Sequence, residues 1–351
     1  MANERLGREV YESLIQQRRL FALGAGFSAA AGIPMTRELL VSSMKRFGLE
    51  CPGIFARVEA MVRTCFELDD SSIDYAVLCR SPDTLSQLCT FLHYHELREF
   101  GGGERWTRAG SQENLALRFY LAKEIALSTP SSENLPALYL DFATQLHLGD
   151  VVLSFNWDTL LELALGAVGV PYSYKVEDGR VTLAKLHGSI NWRLGSPDAP
   201  SPHWNSFRFT ENMMDEELYW TRALVRPESW RHVPPPFSEV QPFIILPGFG
   251  KALDVRYLAE LWYRPEFAFQ STHDIFVIGL SLAPDDFIIR SLFLDNLPYE
   301  HDYSGVPGRK VAIIDPDAAA GDRFSFLSRT PNVEFICERF SPAHLERMKS
   351  R

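Results

Sequence analysis

Six short apolar runs restrict the fold of this chain more than any other feature: Leu20–Leu23, Val151–Phe155, Val181–Leu186, Ile275–Gly279, Val311–Ile314 and Val333–Cys337, each four to six residues long. They are predominantly apolar rather than strictly alternating, the pattern of strands covered on both faces. Helical patterns separate most of them, and several end in Asn, His, Gly or Asp. Parallel strands joined through helices give an α/β sheet, with ligands expected at the carboxyl ends of its strands.

About six strands is the count of a Rossmann-type parallel sheet. Two stretches depart from its rhythm. Between residues 52 and 147 the patterns are mainly helical, with helices expected over Ile54–Phe66, Ser72–Cys79, Thr84–Phe100, Glu113–Leu127 and Leu135–Leu148. From Gly195 to Phe249 the chain holds nine prolines and Trp204, Trp220 and Trp230, with a short helix expected near Glu211–Leu224. Residues 1–50 and 150–351 are therefore expected to form the domain that carries the sheet, 51–149 an inserted helical subdomain, and 195–250 an insertion or lid. Leu6, Val10 and Leu14 share one face of a helix over 5–18, and Thr36 is expected to cap a helix to about Phe47.

The 351 residues carry a net charge of −10 with no Lys/Arg tract, which gives no electrostatic footprint for a nucleic-acid backbone. The charged, amphipathic N-terminus is unlike a signal peptide, and no apolar run approaches the ~20 residues of a membrane span. A cytoplasmic protein is expected. The five cysteines form no C-x-x-C pair, and no His spacing suits a metal. No metal is expected, and the cysteines read as small buried hydrophobes.

Four segments at the ends of these runs carry chemistry. The first is Gly24-Ala25-Gly26-Phe27-Ser28, followed by Gly32-Ile33-Pro34 and Arg37. Glycine directly after a strand lets backbone approach a pyrophosphate, and helix N-terminal N–H groups favour its charge. The second is Ser154-Phe155-Asn156-Trp157-Asp158. Asn156 is suited to hold a ribose hydroxyl or an attacking water; Asp158 either orients Asn156 or caps the helix Thr159–Leu165. The third is His187-Gly188-Ser189, where His187 is a general-base candidate rather than a merely structural histidine. The fourth is Gly279-Leu280-Ser281-Leu282, with Gly279 and Ser281 suited to a phosphate or ribose, and Asp285-Asp286 suited to cap the next helix. Asp315, before Pro316, either accepts from an adenosine ribose hydroxyl or forms a turn.

Together these segments resemble the sirtuins, and more closely their bacterial sirtuin-like relatives. Gly24, Ala25, Gly26, Ser28, Gly32, Ile33, Pro34 and Arg37 stand where sirtuins carry G-A-G-x-S-x-x-x-G-I-P-D-F-R. Ser154–Asp158 stands at T-Q-N-x-D, His187–Ser189 at H-G-S, and Gly279–Leu282 at G-T-S-L. The departures are equally informative. Met35 and Thr36 replace the Asp-Phe pair, whose aromatic shields the reactive sugar from water in deacylases. No cysteine occurs between Cys89 and Cys337, so the family's four-cysteine zinc module is missing.

The resemblance implies NAD as substrate, bound by Gly24, Ala25, Gly26, Ser28, Pro34, Arg37, Gly279, Ser281 and Asp315. It places Asn156 and His187 in catalysis with Asp158 behind them, and it requires no metal. The missing zinc module and aromatic point to hydrolysis of NAD rather than peptide deacylation. The helical insertion is like that of relatives implicated in defence against phage. For such a gated enzyme the resemblance implies a homo-oligomer, and by analogy a partner ATPase of the HerA/translocase kind. The alternatives are an NAD-dependent protein deacylase or ADP-ribosyltransferase, and a non-catalytic sensor of NAD or ADP-ribose.

Overall fold

Seven parallel strands make the central sheet: β1 (Arg19–Leu23), β2 (Val151–Ser154), β3 (Tyr172–Ser173), β4 (Val181–Lys185), β5 (Asp274–Ile278), β6 (Lys310–Ile314) and β7 (Val333–Ile336). Their order is β7-β6-β5-β1-β2-β4-β3, and every neighbouring pair is parallel. All six strands expected from the sequence are present in this Rossmann-type α/β sheet. The seventh, Tyr172–Ser173, is a two-residue edge strand too short to leave a pattern. The computed structural model describes residues 19–69, 72–81, 83–98, 106–107, 110–195, 205–207, 217–220, 242–251, 255, 258, 261–262, 268–269, 272–283, 286–297, 310–324 and 333–349.

β1 lies at the centre, pairing with β2 on one side and β5 on the other. Its two neighbours continue to opposite edges of the sheet, so the sheet's switch point falls at the end of β1. That is where an open α/β sheet leaves a crevice for a ligand.

Among the described residues, five helices longer than a single turn stand between β1 and β2: α1 (Thr36–Glu50), α2 (Pro52–Cys65), α3 (Thr84–Arg98), α4 (Gln112–Ser128) and α5 (Ala137–Gln145). α4 is buried on all faces from Gln112 to Leu117 and again from Phe119 to Ala126. A helix buried all round must be surrounded, and α1, α2 and α3 pack against it. Its charges are paired on the way in: Glu113 with Arg57, Lys123 with Glu50, and Glu124 with Arg46. α5 instead packs against α6 (Leu160–Val168), the helix after β2, and α9 (Pro342–Lys349), the helix after β7. Helices α7 (Phe287–Asn296) and α8 (Ala318–Arg323) follow β5 and β6.

Several local expectations need correction. Met35, not Thr36, holds the N-cap position of α1, with extended backbone after Pro34 and no side-chain cap. The helix expected over Ser72–Cys79 is one turn, Tyr75–Leu78, where the Asp74 carboxylate accepts from the Ala76 and Val77 N–H groups. Within the expected helix Glu211–Leu224, Glu217–Trp220 is a strand. It pairs antiparallel with Trp192–Gly195 and Asn205–Phe207. The backbone ladder sets Trp220 opposite Trp192, a non-local pairing that overrides the weak helical pattern. Most of the Pro/Trp-rich stretch, like the helix expected over 5–18, lies outside the described residues. None of the described helices is long and apolar enough to cross a membrane.

The amino end of β1 is clamped by a buried ion pair. The Asp150 carboxylate accepts from the Arg19 guanidinium at 2.5 Å and from the Arg19 main-chain N–H at 3.1 Å, and it also takes the His147 N–H at 2.8 Å. Removing one member of a buried pair strands the other charge. Asp150→Ala is expected to cost about 3–5 kcal/mol in a urea denaturation curve. A loss below about 1 kcal/mol is what a solvated pair would show.

Candidate active site

The glycine turn after β1 is zipped to the end of β5. The Gly24 N–H donates to the Ile278 carbonyl (3.0 Å) and the Gly26 N–H to the Gly279 carbonyl (2.9 Å). A Cβ on Gly24 would stand 2.4 Å from the Gly279 oxygen, and one on Gly26 2.7 Å from the Gly279 Cα. These glycines therefore let backbone meet backbone. Their N–H groups are spent within the protein rather than left for a phosphate. Behind the turn the Tyr139 hydroxyl donates to the Phe27 carbonyl at 2.8 Å, and Phe27 packs edge-on to Tyr139 and Phe142.

Ala25–Ser28 then forms one helical turn that aims Ser28 at the end of β2. There a directional chain of hydrogen bonds runs through three buried side chains. Asn156 Nδ2 donates to the Gly24 carbonyl (2.8 Å) and to Ser28 Oγ (3.1 Å), and the Ser28 hydroxyl donates to Asp158 Oδ2 (2.8 Å). Asp158 Oδ1 accepts the Leu160 N–H at 3.0 Å, so this carboxylate both holds the first turn of α6 and anchors Ser28. Because both Nδ2 hydrogens of Asn156 are used inward, what it offers a ligand is its carbonyl oxygen, an acceptor.

His187 follows β4. Its Nδ1 lies 3.1 Å from the Phe155 carbonyl. A carbonyl only accepts, so Nδ1 carries the proton and Nε2 the lone pair. Nε2 is buried with no hydrogen-bond partner among the described residues. Burial, and then the nearby Lys251 ammonium, hold the imidazole pKa well below the ordinary histidine value, against the Phe155 hydrogen bond. Phe155 and Trp262 flank the ring, and the Trp262 indole N–H donates to the Leu186 carbonyl at 3.0 Å.

These groups share one cavity of about 570 Å³, within the range of small-molecule sites. Asn156, Asp158, His187, Ala25, Ser28 and Pro34 all line it. Other residues singled out from the sequence are placed elsewhere. Gly24, Gly26 and Gly279 are not in the lining; they form the close backbone contact between the β1 turn and the end of β5. Arg37 is turned toward the single turn after α2, its guanidinium 3.4 Å from the Ala76 carbonyl. Ser281 is exposed, and its carbonyl accepts from Arg323. Asp315 is buried at the end of β6; its Oδ1 accepts the Asp317 N–H at 2.9 Å, and burial raises its pKa. That is the turn-forming arrangement.

Sequence reasoning missed one wall. The segment Ile245–Lys251 packs its glycines onto α3: a Cβ on Gly248 would stand 2.4 Å from Thr90 Oγ1, and one on Gly250 2.4 Å from the His93 ring. Lys251, at its end, is buried and paired with Asp286, which also caps α7 through the Ile289 N–H (3.2 Å). The cap was legible in the sequence; the lysine that meets it from 35 residues away was not. Phe249 stands 73% exposed on the cavity lining. Among the described residues no cluster of three or more His, Cys, Asp or Glu is placed to hold a metal ion.

No family model and no curated protein matches the chain. Solved structures similar to it include one described as "Sir2 bound to acetylated peptide" (13% identity, TM-score 0.39, covering 97% of this chain and 95% of that one). Another is described as "Sir2-p53 peptide-NAD+" (12% identity, TM-score 0.38, covering 97% and 95%). These values assign neither a family nor an activity, and the fold assignment rests on the strand order and register: a Rossmann-type α/β sheet with its cavity at the carboxyl ends of the strands.

Proposed function

We propose that this chain is an NAD hydrolase that splits NAD into nicotinamide and ADP-ribose. The observation that carries this reading is the convergence of Asn156, Ser28, Asp158 and His187 Nε2 on one cavity at the switch point. The chemistry needs little more. Nicotinamide is a cationic leaving group; as its bond to the ribose C1′ breaks, the electron pair leaves with it and the sugar gains oxocarbenium character. The Asn156 carbonyl oxygen accepts from a ribose hydroxyl or from water and so orients them. His187 Nε2 takes a proton from the attacking water as its oxygen bonds to C1′. The Ser28–Asp158 chain keeps Asn156 from turning. The cavity also brings the Lys251 ammonium, held by Asp286, within reach of an anionic ligand.

Thr36 lines the cavity and Met35 is 42% exposed, so neither residue in place of the Asp-Phe pair offers an aromatic to the sugar, which favours water as the acceptor. With the resemblance noted above, this reading extends to a gated, homo-oligomeric effector of anti-phage defence, working in the cytoplasm with a translocase-type ATPase. It also extends to the division into a 1–50 and 150–351 domain and a 51–149 insertion.

The test is NAD loss and nicotinamide release, followed by chromatography with no acceptor added. Wild type is compared with Asn156→Ala, alone and with the products of neighbouring genes. Acceptor-free ADP-ribose formation that falls at least about 100-fold in Asn156→Ala supports the hydrolase. NAD consumption only on adding a peptide or protein acceptor would make it a transferase or deacylase. NAD binding without turnover under any of these conditions would make it a sensor.

A further inference from the structure

A second cavity, of about 510 Å³, is built along α6 and the turn after it, and shares no lining residue with the first. Leu163, Val170, Pro171 and Tyr172 give it apolar walls. Into this setting comes Glu162, only 7% exposed. Its Oε1 is well provided, accepting from the Lys185 ammonium and the Tyr174 hydroxyl, both at 3.2 Å. Its Oε2 is buried and has no partner among the described residues.

The local charge is also incomplete. Lys185 serves two acceptors, Glu162 Oε1 and the main-chain carbonyl of Asp158. The Asp158 carboxylate receives only neutral donors, the Ser28 hydroxyl and the Leu160 N–H. One ammonium, bonded to the Glu162 carboxylate and to the Asp158 main chain, thus stands beside two carboxylates. Arg180, at the cavity, is committed to Glu177 (3.1 Å) and to the Tyr172 carbonyl (3.4 Å). A buried carboxylate oxygen without a donor is costly, and a cluster one positive charge short of neutral favours a cation in the space beside it.

We propose that this cavity is a second ligand site, taking a compact organic cation, an ammonium or amidinium on a small apolar body, whose N–H groups donate to Glu162 Oε2. The apolar walls receive the body and Glu162 fixes the head, the division of labour of a small-molecule pocket. Burial raises the Glu162 carboxyl pKa, with Lys185 opposing it, so an arriving cation also stabilises the ionised form. Lys185 touches both Glu162 and Asp158 and is the physical link between this cavity and the first.

The test is calorimetric titration of the full chain with benzamidinium, and with benzamide as its neutral counterpart. One saturable benzamidinium site is expected, binding about tenfold or more tighter than benzamide, the difference a charged hydrogen bond makes. Glu162→Gln is expected to weaken it by a similar factor. Gly166→Leu gives a second route if Glu162→Gln disturbs Lys185. Gly166 lines the cavity and a Cβ there meets nothing within 4 Å, so a leucine is expected to narrow the cavity without straining α6. Loss of binding in Gly166→Leu, with Tm retained, supports the site. Absence of saturable binding, equal binding of benzamide, or binding unchanged in Gly166→Leu overturns it. Benzamide resembles nicotinamide, so only binding that is lost in Gly166→Leu is scored for this cavity, which keeps the result independent of the hydrolase reading.

Discussion

His187→Ala is expected to slow acceptor-free NAD hydrolysis by about 10²–10⁴-fold while leaving NAD binding in place, the loss typical of a removed general base. The geometry behind this is specific. The Phe155 carbonyl fixes the Nδ1–H tautomer, and Nε2 is left with a lone pair and no partner among the described residues. The sign of the pH dependence follows. A base works unprotonated, and burial followed by the Lys251 charge holds this imidazole well below the ordinary histidine value. Activity is therefore expected to persist as pH falls through the usual histidine range, with the acid limb of kcat/KM lying below it. Lys251→Met removes the positive charge and leaves the Asp286 carboxylate unpaired nearby. Both changes favour the imidazolium, so the acid limb is expected to move up in pH. A pH–rate profile of the two proteins checks this. An unmoved limb in Lys251→Met, or a His187→Ala protein as active as wild type, would remove His187 from the base role.

The parts of this site that were legible in the sequence are those written within a few residues of a strand end. Asn156, Asp158 and His187 each follow an apolar run directly, and the fold brings β1, β2 and β4 together in register, so three local signals become one cavity. The glycines were legible as glycines, but not for their use. Sequence pattern reads a glycine after a strand as room for a phosphate; the structure uses Gly24 and Gly26 to let the turn after β1 lie against the end of β5. That pairing depends on a partner some 250 residues away, which no local window contains. The same holds for Lys251, whose significance depends on meeting Asp286 and His187, and for Glu217–Trp220, whose strand state depends on pairing with Trp192–Gly195. Arg37 shows the converse: its spacing from Pro34 is right, yet the first turn of α1 points it at Ala76.

Gly279→Ala is the substitution expected to do the most structural damage, and Gly32→Ala is its control. Both glycines hold the left-handed region, φ +60° at Gly279 and +81° at Gly32. On conformational grounds alone each change costs about 1–2 kcal/mol. Their surroundings differ. A Cβ on Gly32 meets nothing within 4 Å, whereas one on Gly279 would lie 2.2 Å from the Phe27 nitrogen and 2.3 Å from the Gly26 carbonyl carbon. Those are backbone atoms, with no flexible side chain to swing away. Relief requires the β1 turn and the end of β5 to separate, breaking the Gly26 N–H to Gly279 carbonyl bond and carrying Ser28 away from Asn156 and Asp158. Gly279→Ala is expected to cost about 4 kcal/mol or more, the range of severe core mutations. That is a large part of a stability of about 5–15 kcal/mol. Urea denaturation of the two variants, with NAD affinity measured on each, separates the causes. A loss near 1 kcal/mol in Gly32→Ala beside a several-fold larger one in Gly279→Ala, with NAD binding lost only in the latter, shows that close backbone approach builds the site. Equal losses in the two would mean that the left-handed conformation is all these positions require, and that the contact between the β1 turn and the end of β5 does not hold the Ser28–Asn156 pair in place.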